Sequence, residues 1–322
     1  MFSQEQLMAV KTIITHADCA DGMASAMILK HALPRAEVQF VQYGSSREKV
    51  EPGPGQLWCD MSPPEARAEE FVAAGAIVLD HHKTAKAVVE RFGELGVFAD
   101  ENEEPGVSGA LLAFRHVWDP MRVRSPRSPL VEDFALLAGT RDTWQRNVAS
   151  WEDACAQGEV LTFYDSSYWL GLRRPWVTDE EMKLGRVLRA KKLKTAESLA
   201  TNALVLGSCA VFPSITASSD VAEALRVQDR GLKVAVGFGY VCIDPCHMDL
   251  VFSLRSLDVA VDVSAIARSK GGGGHRAAAG FSESAYQYGV NMGPDPLECL
   301  FEAMVVAGHR DLMGDYRPYA YG

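Results

Sequence analysis

Short strand-like runs alternate with helical stretches in the first half of the chain. The strand-like runs are rich in β-branched and aromatic side chains and occur at Lys11–Thr15, Val38–Tyr43, Gln56–Cys59 and Ala76–Leu79. Met23–Leu33 has the spacing of an amphipathic helix and stops before a proline, and Pro64–Ala74 is a second predicted helix that a glycine ends. This alternation predicts an α/β domain with a mainly parallel sheet and helices on both faces.

A long predicted helix and further strands follow. Thr178 precedes three acidic residues, the pattern of an N-cap with carboxylates in the first helical turn, and the helix is expected to run to Ala200. Strand-like runs then occur at Leu204–Leu206, Leu232–Phe238 and Met248–Leu254, and a helix is predicted over Val261–Ala267. We therefore predict two α/β domains, residues 1–170 and the smaller 203–322, joined by a helical linker over 171–202.

Length and composition agree with this organisation. The chain has 322 residues, more than one hydrophobic core usually serves, and its hydrophobic fraction of 48% is typical of globular proteins. No apolar run approaches the roughly 20 residues that span a bilayer, and the N-terminus lacks a basic region followed by an apolar one. Seven scattered cysteines favour a reducing compartment. We expect a cytoplasmic protein without a membrane partner.

The net charge narrows the class of ligand. A charge of −10 argues against avid binding to long nucleic acid, which requires many Lys and Arg contacts to phosphates. It does not exclude a small phosphorylated substrate, because bound metal ions supply positive charge locally. A short nucleotide or oligonucleotide is therefore a more suitable partner than a long duplex.

Acidic and imidazole side chains follow three of the predicted strands. The first strand runs into His16, Asp18, Cys19 and Asp21, the third into Asp60, and the fourth into Asp80-His81-His82; Asp142 follows an apolar stretch that is either strand or helix. The carboxyl ends of parallel strands meet at one edge of a sheet, where α/β proteins build their sites. Carboxylate and imidazole ligands suit a divalent ion such as Mn²⁺, Mg²⁺ or Zn²⁺. The sequence therefore predicts a metal site at this edge.

The two adjacent histidines are expected to do different things. Successive side chains of an extended chain point to opposite sides, so Asp80, His81 and His82 cannot all point one way. One of them can bind a metal while the other faces the substrate or solvent.

A glycine run in the second half is the candidate anion site. Gly271–Gly274 is followed by His275 and Arg276 and by an alanine-rich segment interpreted as a helix start. Backbone N–H groups of Gly272, Gly273 and Gly274 could approach an anion closely, since no side chains intervene. Arg255, at the end of a predicted strand, could add a bidentate phosphate contact; a surface ion pair is the alternative.

Together these motifs resemble the DHH phosphoesterase superfamily. The resemblance lies in His16 to Gly22, Asp60, Asp80-His81-His82 and Asp142, in that order, and Gly271–Phe281 resembles the glycine-rich signature of the DHH-associated C-terminal domain. The matching motifs span most of the chain. The chain most resembles small members of the nanoRNase or oligonucleotide phosphodiesterase type. The resemblance implies a metal-binding N-terminal domain, a substrate-binding C-terminal domain and an active site in the cleft between them.

One position departs from the family pattern. The first motif usually has two aspartates separated by one residue; Asp21 matches the second, whereas Cys19 occupies the place of the first and Asp18 lies one residue earlier. Cys19 could be a thiolate ligand, Asp18 could reach round, or one metal site could be weak. Thiolate ligation would favour Zn²⁺ over Mn²⁺.

The resemblance also implies roles and a reaction. His16 with Asp18 or Cys19 would hold one ion, Asp21, His81 and Asp142 a second, and Asp60 would bridge them. His82 would contact the scissile phosphate or help protonate the leaving group, and Asp80 would orient an imidazole. Arg255, Gly272–Gly274, His275 and Arg276 would bind the substrate. We expect a Mn²⁺-dependent phosphoesterase, with Mg²⁺ or Zn²⁺ as other candidates, acting on short nucleotides. A polyphosphate hydrolase and a non-catalytic nucleotide or metal sensor are the alternatives, and the oligomeric state, a homodimer included, stays open.

Overall fold

The computed structural model describes residues 2–42, 45–100, 103–121, 126–244, 247–287 and 295–318. The chain divides into two compact units, Met1–Arg189 and Ala190–Gly322. The division falls within a single long helix, Asp179–Thr201.

The first unit is built on a parallel sheet. Its five strands have the order β2-β1-β3-β4-β5, and every neighbouring pair is parallel. Their bounds are β1 Thr12–His16, β2 Glu37–Val41, β3 Gln56–Cys59, β4 Ile77–Asp80 and β5 Gly96–Phe98. The predicted α/β fold with a parallel sheet is confirmed.

Helices lie before, between and after these strands in the chain. In chain order they are α1 Gln4–Met8, α2 Ala20–Ala32, α3 Ser45–Glu48, α4 Ala68–Ala73, α5 Lys86–Glu90, α6 Gly109–Ala113, α7 Asp119–Met121, α8 Ser128–Asp142, α9 Trp151–Leu161, α10 Ser166–Gly171 and α11 Asp179–Thr201. A π-helical segment, Phe114–Trp118, continues α6.

Both faces of the parallel sheet are buried. Ile13, Leu57 and Leu79 belong to one apolar cluster, whereas Ile14 and Trp58 belong to another. Because neighbouring residues of a strand point to opposite faces, consecutive apolar residues require a cover on each face. This explains why the strands appear in the sequence as continuous apolar runs rather than as alternating ones.

The second unit contains a mixed sheet of six strands in the order β10-β11-β9-β8-β7-β6. Only β7 and β8 pair in parallel; the other neighbours are antiparallel. The strands are β6 Leu204–Leu206, β7 Cys209–Phe212, β8 Val234–Asp244, β9 His247–Ser256, β10 Gly273–His275 and β11 Ala278–Gln287. The helices are α12 Ser218–Val227, α13 Val263–Arg268 and α14 Pro296–Val306.

Three local predictions are corrected or decided by the fold. Helix α2 begins at Ala20 rather than at Met23, so Asp21 lies in its first turn. The alanine-rich segment after the glycine run is strand β11 and not a helix start, because it pairs along its length with β9. Asp142 ends helix α8, which decides between the two structures left open for its apolar stretch.

None of the helices in the described ranges combines the length and apolar character needed to cross a membrane.

Candidate metal centre

Three adjacent strands deliver the ligand-type side chains to one edge of the sheet. His16 is the last residue of β1, Asp60 follows β3 directly, and Asp80 is the last residue of β4. Since β1, β3 and β4 are neighbours and run parallel, their carboxyl ends lie side by side. The strand-end arrangement predicted from the sequence is confirmed.

Backbone strain accompanies this edge. Among the described non-glycine residues, four have positive φ, namely Asp18, Asp60, Trp144 and Asp229. Asp18 and Asp60 belong to the predicted motifs, and Trp144 lies two residues after Asp142. The left-handed region is costly for residues with a Cβ and persists where the surrounding structure enforces it. At Asp60, φ of 62° turns the chain out of β3 and directs the carboxylate inward.

Three carboxylates surround one ring nitrogen of His81. Nε2 lies 3.2 Å from Asp60 Oδ1, 3.5 Å from Asp142 Oδ2 and 3.9 Å from Asp21 Oδ2. The side chains of Asp60 and Asp21 are fully buried, whereas that of Asp142 is 28% exposed. Such a concentration of negative charge around one imidazole is typical of a cation site.

The ligand atoms form overlapping groups. Within the described residues, three sets of side chains offer atoms that lie within 4.8 Å of one another, namely His16–Cys19–Asp60, Asp60–His81–His82 and Asp21–His81–Asp142. Asp60 belongs to two of these sets. These acidic and histidine clusters could therefore hold a metal ion.

Cys19 and Asp18 differ in where they point. Cys19 is the half-buried N-cap residue of α2, and its Sγ is in the group formed with His16 and Asp60. Asp18 is in none of the groups; its Oδ2 accepts a 3.4 Å hydrogen bond from Gln42 Nε2. The geometry thus favours Cys19 among the alternatives that the sequence left open.

Backbone amides of α6 hold Asp21 in place. Gly109 N donates to Asp21 Oδ2 at 2.6 Å and Ala110 N donates to Oδ1 at 3.0 Å. These amides are at the helix N-terminus, where they have no partner within the helix. Ser108 caps the same helix by accepting a hydrogen bond from Leu111 N.

Asp80 does not face the ligand groups but holds His82. Its Oδ1 accepts hydrogen bonds from the backbone N and the ring Nδ1 of His82, at 2.9 and 2.8 Å, and its Oδ2 accepts one from Ser62 Oγ at 2.6 Å. Burial alone would raise the pKa of Asp80, but the bonds from His82 and Ser62 outweigh it and lower the pKa. The carboxylate is therefore ionised, and His82 carries a proton on Nδ1.

Electrostatics shows that the residues fit a cation. Burial raises the pKa of Asp60 well above its usual range, and Asp21 and Asp142 raise it further; burial and then Asp21 also raise the pKa of Asp142. Asp60 Oδ2 is buried and accepts no hydrogen bond within the described residues. A divalent ion among these oxygens would remove the repulsion and supply the missing partner. Burial lowers the pKa of His16, which keeps its imidazole neutral and able to ligate.

The predicted substrate-binding residues lie in the second unit. Arg255, near the end of β9, is half-buried and donates to Ser219 Oγ, Ser253 Oγ and the Leu254 carbonyl. Its Nη2 group has no hydrogen-bond partner in the described part of the chain, and burial lowers the pKa of its guanidinium. Arg276 donates to the carbonyls of Val259 and Ala260 instead, which fixes the loop between β9 and α13.

The glycine run Gly271–Gly274 is held by backbone hydrogen bonds and is not a flexible anion-binding loop. The amide of Gly272 already donates to the Ala267 carbonyl, so it is not available to an anion. Gly273, Gly274 and His275 form the edge strand β10, which pairs with β11 on one side only. Gly274 has φ of 135° and a Cβ there would lie 2.6 Å from the Ala278 carbonyl oxygen, so glycine is required for this pairing.

Sequence reasoning missed three residues of the centre. Gln42 contacts His16, Ser62 contacts Asp80, and Gly109 contacts both Asp21 and Asp60. Gln42 directly follows β2, the neighbour of β1, but the strand predicted from the sequence ran to Tyr43, so the strand-end rule could not identify Gln42. No sequence signal marks Gly109, because its importance comes from a contact across the fold.

Comparison with solved structures supports the same fold. A DHH domain described as a member of the s1p family of ribosomal proteins shares 12% identity, with a TM-score of 0.59 over 95% of this chain and 88% of that one. The exonuclease RecJ bound to manganese shares 18% identity, with a TM-score of 0.53 over 96% and 93%. The pGpG-specific phosphodiesterase PggH from Vibrio cholerae shares 15% identity over 94% and 100%, but its TM-score is only 0.41. No protein-family model and no curated sequence matches the chain.

The chain therefore has the fold of DHH proteins, a parallel α/β unit followed by a mixed-sheet unit, and the resemblance carried by its motifs is confirmed at that level. In particular, side chains from each of those motifs lie close together in the first unit, namely His16, Asp21, Asp60, His81 and Asp142.

Proposed function

We propose that this protein is a divalent-metal-dependent phosphoesterase that hydrolyses phosphodiester or phosphomonoester bonds of short nucleotides or oligonucleotides. The observation that carries the proposal is the buried Asp60 carboxylate, which belongs to two ligand groups and has one oxygen without a hydrogen-bond partner among the described residues. A carboxylate in that position suits a bridge between two ions, and two-metal sites are typical of phosphate-ester hydrolysis.

The ligand groups suggest which residues hold each ion. We assign His16, Cys19 and Asp60 to one ion and Asp21, His81 and Asp142 to the other. Asp60 Oδ1 is 3.2 Å from His81 Nε2, and we propose that the two ions share Asp60. A divalent ion bound here supplies Lewis-acid chemistry, polarising a phosphoryl oxygen and activating water as a nucleophile. Mn²⁺ is the proposed ion because the carboxylates are hard ligands and because the RecJ structure is bound to manganese; Zn²⁺ competes if Cys19 ligates as a thiolate.

His82 is the proposed proton donor. The Asp80 carboxylate fixes its Nδ1–H, so Nε2 is the ring atom that exchanges a proton with other groups. In the imidazolium form, Nε2 protonates the leaving-group oxygen as its bond to phosphorus breaks. Asp80 both orients the ring and stabilises its positive charge, as carboxylates behind catalytic histidines do.

Residues of the second unit are the proposed substrate contacts. Arg255 donates from Nε to Ser219 and from Nη1 to Ser253 and Leu254, and its Nη2 group has no partner in the described residues. Because the single Nε–H and both Nη1 hydrogens are already used, Nη2 is the group that can donate to a phosphate oxygen. Gly273, Gly274 and His275 of the edge strand, with Arg276 beside them, are the further proposed contacts.

A direct hydrolysis assay tests the proposal. Metal-stripped protein is refilled with Mn²⁺, Mg²⁺ or Zn²⁺ and incubated with a 5′-phosphorylated dinucleotide, with polyphosphate of matched phosphate content in parallel. We expect release of mononucleotides with at least one ion, most strongly with Mn²⁺, and no turnover by Asp60→Asn.

The parallel arms separate the alternatives. Preferential hydrolysis of polyphosphate would assign the centre to a phosphoanhydride hydrolase. If every ion binds but neither substrate is hydrolysed, the protein is a sensor and the proposed reaction is wrong.

A further inference from the structure

Gln42 lies beside His16, and hydrogen bonds hold both its backbone and its side-chain amide in place. It directly follows β2, whose last residue pairs with His16 of β1, and its Oε1 is 3.1 Å from His16 Nε2. Its backbone N–H donates to Ser46 Oγ at 2.7 Å, and the same hydroxyl donates back to its carbonyl at 3.1 Å. These two hydrogen bonds fix the backbone from which the Gln42 side chain extends.

The surroundings of Gln42 determine which end of its amide faces His16. Its Nε2 donates to the Ala17 carbonyl at 2.7 Å and to Asp18 Oδ2 at 3.4 Å. A peptide carbonyl can only accept, so the NH₂ end must face Ala17 and the oxygen must face His16. An amide oxygen also only accepts, and it follows that His16 carries its proton on Nε2.

This tautomer leaves the lone pair of His16 on Nδ1. Nδ1 lies 3.8 Å from Asp60 Oδ2, and His16, Cys19 and Asp60 form one of the ligand groups. A ring nitrogen that carries a proton cannot bind a metal ion, whereas one with a lone pair can. The direction of the amide thus decides whether His16 is a ligand.

We propose that Gln42 is a positioning residue that fixes His16 in the Nε2–H tautomer, so that Nδ1 is the atom offered to the ion in the His16–Cys19–Asp60 group. The inference rests on the proposed metal site. A neutral amide suits this position, because the centre already contains several carboxylates and a further negative charge would repel Asp18.

The tautomer can be measured in metal-free protein, without any activity. The protein is labelled with ¹⁵N-histidine, and the His16 ring signals are identified by their loss in His16→Asn. We expect Nε2 to be the protonated nitrogen in the wild type and both tautomers to be present in Gln42→Leu. Gln42→Met, which is close to glutamine in length, replaces Gln42→Leu if the latter does not fold.

Ion affinity gives the second readout. Calorimetric titration with Mn²⁺ or Zn²⁺ should show about 10- to 100-fold weaker binding in Gln42→Leu, the usual consequence of losing the partner of a ligating histidine. Gln39→Leu, an exposed glutamine of the same strand, is the matched control and should bind as the wild type does.

The outcomes separate this inference from the proposed function. A proton on Nδ1 in the wild type, or unchanged tautomer and affinity in Gln42→Leu, would overturn the role of Gln42 while the phosphoesterase proposal stands. A wild-type protein that binds no ion contradicts the proposed function and, with it, the ligand role of Nδ1.

Discussion

Gly109 packs directly against Asp60, so closely that a Cβ on Gly109 would stand 2.8 Å from the Asp60 Cα and 2.9 Å from Asp21 Oδ2. The same glycine donates its amide to Asp21 and accepts a 3.2 Å hydrogen bond from Cys59 Sγ at its carbonyl. One residue without a side chain therefore sets the distance between two carboxylates that approach a single cation site.

Gly109→Ala is expected to damage both stability and ion binding. The added methyl meets Asp60 main chain, which cannot rotate away, and overpacking of this kind costs roughly 1–3 kcal/mol. Denaturant unfolding of metal-free protein measures the first effect and calorimetric Mn²⁺ titration the second. Gly171→Ala is the control, since no atom lies within 4 Å of its Cβ position; equal behaviour of the two variants would contradict the packing argument.

Asp60→Asn should separate folding from function. The raised pKa of Asp60 means that its ionised form is unfavourable in the metal-free fold. We therefore expect the metal-free variant to unfold at the same temperature as the wild type or higher, yet to gain little from Mn²⁺. The wild type should be stabilised by the ion because only its folded state binds it.

Asp133→Asn removes the same charge from an exposed position of α8 and serves as the control for Asp60→Asn. It should keep both the wild-type melting temperature and the wild-type response to Mn²⁺. A strong stabilisation of Asp60→Asn by Mn²⁺ would remove Asp60 from the centre.

Substitutions at Cys19 and Asp18 test which of them ligates. Because Cys19 Sγ lies in the group with His16 and Asp60 whereas Asp18 does not, Cys19→Ala should lower the Zn²⁺ content and Asp18→Ala should not. Cys19→Asp should shift the preference from Zn²⁺ towards Mn²⁺, since an oxygen replaces sulfur. The metal content of each variant is measured after dialysis. Loss of Zn²⁺ only in Asp18→Ala would show that Asp18, and not Cys19, is the ligand.

Glu181 should make the stability of the first unit depend on pH. It forms a capping box with Thr178 at the start of α11 and also accepts hydrogen bonds from Tyr168 and from Arg174, at 2.8 and 2.6 Å. Burial would raise its pKa, but Arg174, Thr178 and Tyr168 outweigh that and lower the pKa. Its contribution is therefore complete above the ordinary glutamate pKa and is lost as the pH falls through the folded-state pKa.

Glu181→Gln should cost about 1–3 kcal/mol at pH 7, the range for a hydrogen-bonded charge, with the difference from wild type shrinking towards pH 3. Denaturant unfolding across that range measures it. Glu180→Gln changes an exposed carboxylate in the same helical turn and should change stability by less than about 0.5 kcal/mol at either pH. A pH-independent deficit in Glu181→Gln would show that packing, and not charge, is lost.

Much of the first unit follows from local patterns in the sequence. The apolar runs at Ile13–Ile14 and Leu57–Trp58 predict buried strands because a sheet covered on both faces needs apolar residues at successive positions. The aspartates and histidines after those strands predict a site, since parallel strands all end at one edge. The strand predictions succeed because the information lies within a few residues, and the site stays a prediction.

Other features depend on contacts across the fold. Ala278–Gln287 has the composition of a helix start but forms β11, because β9 offers a partner for its backbone hydrogen bonds along nearly its whole length. Cys19 Sγ lies in a ligand group whereas Asp18 accepts a hydrogen bond from Gln42, and the composition of the motif does not reveal this difference.

The sequence by itself therefore determined which residue types stand at the ends of which strands, because side-chain alternation and strand direction are properties of the local chain. Only the tertiary structure decided which of those residues meet and in what state. The spacing of Asp21 and Asp60 across Gly109, and the proton position on His16 beside Gln42, are set by atoms far apart in sequence. Hydrogen-bond direction and close packing act between neighbours in space, and those neighbours exist only once the chain has folded.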